Sequence, residues 1–299
     1  MSIDSVKIKI KDKYTELVFN ETTGVYEAEI EAPDATSYNL AGGYYPITLE
    51  VVNSEGMEVS KDDTDAAFGN ILRLYVKETV KPIITLKSPS DGSHVQDSSF
   101  PIVFSVSDET GGSGVDESSI DLKFDGNSVE VFKQNTGYGF ECTYLPEDST
   151  AEGSHNIQIS AKDNDGNSAE PIDISYIIDK TSPTLVVTSP DFSVTNQQYC
   201  LVSGVTYDNL SNIDFVGIWL NNKKIGDVSV DNDGIFSKEI LLLEGKNVIH
   251  IKSTDKSGRS SAVQKEVQLD TVPPEVYQVN FEPNPLSEKY PVRITLEVI

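Results

Sequence analysis

Two stretches, EGSHNIQISAKDNDG at 152–166 and EGKNVIHIKSTDKSG at 244–258, are copies of one pattern. Each opens on Glu-Gly, alternates apolar with polar side chains, and closes on Asp-x-x-Gly. Ile157 and Ile159 alternate strictly, and Val248, Ile249 and Ile251 less strictly, which is the period of a strand with one buried face. A weaker third copy runs from Gly42-Gly43 to Asn53-Ser-Glu-Gly56. The two glycines stand 13 residues apart in all three, from Gly43 to Gly56, Gly153 to Gly166 and Gly245 to Gly258. Equal spacing means an equal strand and an equal turn, so the chain is a repeat array.

Working outward, each copy passes through one more strand into a proline-bearing junction: Lys81-Pro82, Asp179-Lys-Thr-Ser-Pro183 and Asp270-Thr-Val-Pro-Pro274. The last two junctions lie 91 residues apart, from Asp179 to Asp270, which is the length of one two-sheet sandwich. An apolar strand follows each proline, at 83–86, 185–187 and 276–279, then Ser-Pro, Ser-Pro or Glu-Pro. Strand alternation recurs at Ile120, Leu122 and Phe124 and at Val6, Ile8 and Ile10, and no stretch of twelve residues carries a helical period. Turn signals at Asp125-Gly126, Thr136-Gly137, Asp165-Gly166, Asp233-Gly234 and Ser257-Gly258 punctuate the strands. The expectation is an all-β chain of tandem sandwiches whose short proline junctions make an elongated rod.

The junctions of Asp-x-x-x-Pro type, with Asp-x-x-Gly after the penultimate strand, resemble tandem bacterial immunoglobulin-like domains. The series DETGGSGVDESSIDLKFDG, EGSHNIQISAKDNDGN and VNFEPNPLSEKYPVRITLEV is similar to immunoglobulin-like, tail-associated virion proteins of phages and prophages of Gram-positive bacteria. That resemblance spans essentially the whole chain and implies a structural virion role with contact to the host cell surface. It brings no catalytic residues. Secreted adhesins use the same modules, so a bacterial surface adhesin or glycan-binding module is the alternative. Accessory domains of an extracellular enzyme are a third option.

In the middle copy, seven runs labelled A to G fall at 83–86, 102–106, 120–124, 129–132, 140–144, 156–160 and 172–178. Ser5-Val6 to Ile10 matches Ser119-Ile120 to Phe124, Thr23-Gly24 matches Thr136-Gly137, and Ala32-Pro33 matches Leu145-Pro146. The first copy therefore begins at run C, while 276–281 and 292–298 read as runs A and B with nothing after them. The expected division is an incomplete domain at 1–82, whole domains at 83–180 and 181–271, and a two-strand segment at 272–299. A sandwich without two strands leaves an open edge and groove, and a lone strand pair buries no core of its own. Val276, Val279, Phe281, Val292, Ile294 and Leu296 are accordingly expected to complete a domain of another virion protein or of a second copy of this chain. A compact N-terminal domain with a docked tail, and a piece cut from a longer array, fit the same residues.

Charge narrows the partners. With 48 acidic against 23 basic residues the net charge is −25, which repels phosphate backbones and anionic lipid. There is no apolar run near the ~18 residues that span a bilayer and no leader of the usual secretory kind. A virion protein assembled in the host cytoplasm fits this reading, with an extracellular or cell-surface location under the alternative. Cys142 and Cys200, each in its own strand-like run, are expected to be buried and reduced.

Chemistry is sparse. His94, His155 and His250 occupy different places in the repeats with no metal-ligand spacing. Gly111-Gly-Ser-Gly114 lacks the following glycine of a nucleophile elbow and reads as a loop, so no enzyme is expected. Asp163, Asp165 and Asn167, with Asp179 at the next junction, offer oxygen ligands for calcium near a domain boundary. An EF-hand is excluded because Ala161 and Ile172 fall at its first and last ligand positions. A plain turn also accounts for these residues, as it does at 231–234. Trp219, the only tryptophan, falls between inward-pointing Ile218 and Leu220, which places it on the outer face as a partner or glycan contact, or as a ring covered by a lysine stem, unless a one-residue register slip turns it inward. Tyr44 and Tyr45, beside Pro46, offer another apolar spot, with core packing favoured.

Overall fold

A computed structural model describes residues 2–282 and 291–298. It divides into two compact units, 1–178 and 179–299. The first unit opens with β1 (Ile3–Ile10), β2 (Lys13–Glu16), β3 (Val18–Asn20), β4 (Val25–Glu27), β5 (Tyr45–Asn53), β6 (Glu58–Lys61) and β7 (Arg73–Leu74). β2, β1, β5 and β6 form one antiparallel sheet in that order, with β7 added to β5, while β3 and β4 pair only with each other. The alternation of β1 orients Val6 inward, where it is buried. Val6 and Tyr45 are the buried large side chains of this module, and Val18, Phe19, Val25 and Ile30 are exposed.

The middle sandwich comprises β8 (Ile83–Ser88), β9 (His94–Val95), β10 (Ile102–Ser107), β11 (Asp121–Phe124), β12 (Asn127–Val129), β13 (Phe132–Asn135), β14 (Gly139–Tyr144), β15 (Gly153–Ser160) and β16 (Ile172–Ile178). One sheet runs β13-β14-β10-β8 and the other β12-β11-β15-β16-β9. Phe104 and Cys142 of the first sheet pack against Leu122, Ile157, Ile159, Tyr176 and Ile178 of the second, all essentially solvent-free. Asp125 and Gly126, both with positive φ, close the two-residue β11–β12 hairpin. The run read as one strand at 129–132 is divided: β12 ends on Val129 in one sheet and β13 begins on Phe132 in the other. Buried Val131 sits at the crossing, so apolar content there reflects a change of sheet.

The second unit repeats this plan in β17 (Thr184–Ser189), β18 (Val194–Thr195), β19 (Tyr199–Tyr207), β20 (Ile213–Leu220), β21 (Lys223–Val228), β22 (Ile235–Leu241), β23 (Gly245–Asp255) and β24 (Ser260–Leu269). Its sheets are β17-β19-β22 and β18-β24-β23-β20-β21, enclosing Val202, Val216, Ile218, Phe236, Ile249 and Ile251. No strand corresponding to β13 flanks β22 among the described residues. In each sandwich a cis Ser-Pro bond, Ser88-Pro89 or Ser189-Pro190, lies where the first strand leaves one sheet for the other. Finally β25 (Val276–Glu282) pairs antiparallel with β26 (Arg293–Val298) as a separate two-stranded sheet, the pairing that β8–β10 and β17–β19 also make.

Candidate functional site

Three features stand out once side chains are placed: a polar seam in the first unit, two carboxylate clusters, and an aromatic patch on the second unit.

The seam joins the N-terminal module to the middle sandwich. The linker after β7 is held at its start by Ser37, whose hydroxyl donates to the Val76 carbonyl (3.1 Å) and accepts from the Val76 amide (3.1 Å). The Asp165 carboxylate, in the turn after β15, accepts from Thr36 Oγ1 at 2.5 Å and from the Glu78 amide at 3.1 Å, and its carbonyl accepts from Lys77 Nζ at 3.0 Å. Asn39 Nδ2 donates to the Gly112 carbonyl at 2.7 Å, and Lys81 pairs with Glu170 at 2.6 Å. Glu78 enters the middle sandwich directly: its Oε1 accepts from the amide (3.0 Å) and hydroxyl (2.9 Å) of Ser113.

Glu78 is also the first member of a cluster. Its carboxylate, with those of Asp108 and Asp163, brings three oxygens within 4.8 Å of one another. Asp108 follows β10 directly and accepts from the Gly114 amide (2.7 Å), while its Oδ1 is buried without a hydrogen-bond partner. Asp163 is held by Asn167, whose amide and side chain donate to its two oxygens at 2.8 and 2.7 Å. Adjacent Glu109 has its carboxyl pushed up to about 7, by desolvation first and then by the neighbouring Asp108 and Glu78.

The second unit carries the same constellation. Asp179, Asp208 and Asp255 place oxygens within 4.8 Å of one another, and all three are buried. Asp208 follows β19, and its Oδ1 accepts from the amides of Leu210 (2.9 Å) and Ser211 (2.7 Å). Asp255 ends β23, and its Oδ1 accepts from Ser257 Oγ (2.6 Å) and the Arg259 amide (3.0 Å). Asp179 Oδ1 accepts from the amide and hydroxyl of Thr181 at 3.0 Å each, and Arg259 Nε donates to the Asp179 carbonyl at 3.0 Å. Asp179 Oδ2 and Asp255 Oδ2 are buried without a hydrogen-bond partner. Burial pushes the Asp179 carboxyl up, but hydrogen bonds from Ser211 and Thr181 outweigh it and leave the value below the ordinary carboxylate range.

The four calcium candidates of the sequence therefore do not form one set. Asp163 belongs to one cluster and Asp179 to the other. Asp165 holds the seam instead, and Asn167 orients Asp163 and donates to the Glu78 carbonyl at 3.1 Å. Sequence reading missed Glu78, Asp108, Asp208 and Asp255. The signal was available in the repeats: an acid four residues before the junction proline (Glu78, Asp179), an acid directly after β10 or β19 (Asp108, Asp208), and an acid three residues before the turn glycine (Asp163, Asp255).

Trp219 is half-buried on the outer face of its sheet, across from His250 and Lys224. Its ring lies over Gly217, where a Cβ would meet it at 2.5 Å, and Lys224 Nζ sits 5.5 Å from the ring centre. Outer-face placement and a covering lysine stem thus occur together. Beside the ring is a shallow depression of 310 Å³ lined by Asn222, His250, Ile251, Lys252 and Ala262. In contrast, Tyr45 is a core residue: it is 2% exposed and its hydroxyl donates to the Ala35 carbonyl at 2.9 Å. His155 is buried between Asp125 (2.7 Å) and the Ala151 carbonyl (3.0 Å), and neither carboxylate cluster contains a histidine. Both cysteines are free and buried, and burial pushes the Cys142 thiol up to about 11. Val276, Val279, Phe281, Ile294 and Leu296 of the β25–β26 pair, and Val292 before it, are all exposed. Among the described residues no helix is long and apolar enough to cross a membrane.

Residues 82–159 match the family model described as bacterial Ig domain, and residues 183–271 match that described as glucodextranase, domain B. The chain is built of tandem immunoglobulin-like sandwiches. Among solved structures, the fibronectin(III)-like modules of Clostridium thermocellum CbhA are 16% identical over 62% of this chain and 93% of that one, with a TM-score of 0.42. A tetra-tandem repeat from the extending region of a large adhesion protein is 13% identical over 100% and 81%, with a TM-score of 0.32. A Bacteroides ovatus mixed-linkage glucan locus protein, SGBP-B, in complex with a heptasaccharide, is 14% identical over 93% and 62%, with a TM-score of 0.22. No curated protein matches the chain.

Proposed function

We propose that the chain is a non-catalytic spacing and binding segment of an extracellular adhesive assembly, a bacterial surface adhesin or glycan-binding array. The observation that carries this reading is the bonded seam of the first unit. Thr36, Lys77 and Glu78 are tied to Ser113 and Asp165 of the next sandwich, so the linker is part of a packed junction. A segment that presents a surface at a set distance needs such a joint. The presented surface is the Trp219 patch, where an aromatic face beside Asn222, His250 and Lys252 suits a sugar ring and its hydroxyls. A glycan array with the wild-type chain and Trp219→Ala tests it: binding to a defined glycan class that the variant loses supports the reading, and no binding by the wild type removes the glycan surface.

A second reading, a tail-associated virion protein that assembles by strand completion, is favoured by a different observation. The β3–β4 pair leaves Val18, Phe19 and Val25 exposed, and the β25–β26 pair exposes apolar side chains on a strand pairing equivalent to β8–β10. In this reading the occupant of the first module is the hairpin of a second copy. Light scattering on the chain and on one lacking residues 275–299 separates the readings: concentration-dependent multimers lost on truncation support strand completion, and two monomers of equal stability exclude it.

A further inference from the structure

We propose that the two three-carboxylate clusters are calcium sites, one formed by Glu78, Asp108 and Asp163 and the other by Asp179, Asp208 and Asp255. Three oxygens within 4.8 Å of one another suit a single ion about 2.3–2.6 Å from each, the range that calcium takes with carboxylates. Three carboxylates this close, buried in the second unit, repel one another and carry a desolvation cost that a bound divalent cation removes.

Two further observations point to a ligand. First, Asp108 Oδ1, Asp179 Oδ2 and Asp255 Oδ2 are buried and accept no hydrogen bond, although Asp179 is 0% and Asp255 1% exposed. Native interiors rarely leave carboxylate oxygens in that state. The other oxygens of the same groups are held in place: Ser257 and Arg259 fix Asp255, Thr181 fixes Asp179, and Gly114 fixes Asp108. One oxygen is thus anchored and the other left over, which is what a preformed cation ligand requires.

Second, the constellation occurs twice in divergent sequence. Val80 donates to Glu78 Oε2 (3.2 Å) as Thr181 donates to Asp179 Oδ1 (3.0 Å), so even the junction turn that aims the first acid is repeated. Where the constellation is incomplete, the charge is absent too. In the first module the equivalent of Asp163 and Asp255 is the neutral Asn53. The Asn53 side-chain oxygen is satisfied locally by the amides of Glu55 (3.0 Å) and Met57 (2.9 Å). Calcium in the first cluster fastens the linker carboxylate of Glu78 to the middle sandwich. In the second it fastens Asp179, the first residue of its unit, to the loops after β19 and β23. All the ligands are hard oxygens, which selects calcium over softer metals.

The test is calorimetric titration of calcium, with magnesium as the comparison, into the chelator-treated full chain. Two calcium equivalents should bind and the melting temperature should rise. Asp163→Asn should abolish one equivalent and Asp255→Asn the other. Because either variant could unfold its own sandwich, the wild type is also followed by amide NMR. Calcium should shift the resonances of Gly114 and Asn167 and of Thr181 and Ser211, leaving Glu55 and Met57 in place. No binding heat and no change in melting temperature on chelation overturns the proposal. So does binding that both variants retain in full, or calcium shifts scattered over surface acids.

Discussion

At the scale of single residues, small oxygen-bearing side chains set the loops. Asp116 caps the short 3₁₀ turn Glu117–Ser119, its Oδ1 accepting from the amide (2.9 Å) and hydroxyl (2.7 Å) of Ser118. The Ser118 side chain first, and then its amide, hold the Asp116 carboxyl below its ordinary value. A lowered folded-state value contributes stability above the unfolded-state pKa and loses it as the pH falls through the folded one. Asp116→Ala should therefore cost about 1 kcal/mol at neutral pH. The gap from wild type should close as the pH falls below the ordinary carboxylate value, a trend read from urea unfolding at several pH values. Gly204 makes the complementary point about space. A Cβ there would overlap the Val186 carbonyl and come within 2.8 Å of the Phe236 ring. Gly204→Ala should destabilise by about 1–3 kcal/mol, seen as a lower melting temperature.

At the scale of elements, the strands most legible in the sequence are those with one face in a core. On β15 the alternation of Ile157 and Ile159 gives the register directly, and both are buried. β23 was harder to read, because Val248, Ile249 and Ile251 are not strictly alternating: Ile249 and Ile251 point inward and Val248 outward. Ile249→Ala should thus cost about 2–5 kcal/mol, while Val248→Thr should stay within about 0.5 kcal/mol. Equal costs, measured by chemical denaturation, would contradict the register. The division of 129–132 between two sheets was not legible, since a chain crossing a sandwich keeps its apolar residues without keeping its partner. Nor were the carboxylate clusters. Their members are distant in sequence, and each acid taken alone resembles an ordinary turn residue; only the third acid lies in the motif that revealed the repeats. Aligning the repeats fixes which residues correspond, but the packing of the loops decides that the three meet.

At the scale of the whole molecule, the chain has two cores of its own, in the middle and C-terminal sandwiches, and an N-terminal module with few buried side chains. The N-terminal module gains order from its neighbour through the seam around Asp165. Asp165→Ala removes the acceptor for Thr36 Oγ1 and the Glu78 amide, and should expose the linker to proteolysis while the middle sandwich keeps its melting temperature. The −25 charge belongs to this scale as well, since it keeps modules with exposed edges apart in solution. The central claim, that successive modules are held in fixed relation by a bonded linker, is tested most directly by residual dipolar couplings on the amides of 1–178. One alignment tensor should fit β1 and β5 together with β10, β11 and β15. Separate tensors of different magnitude for the two sets would contradict it.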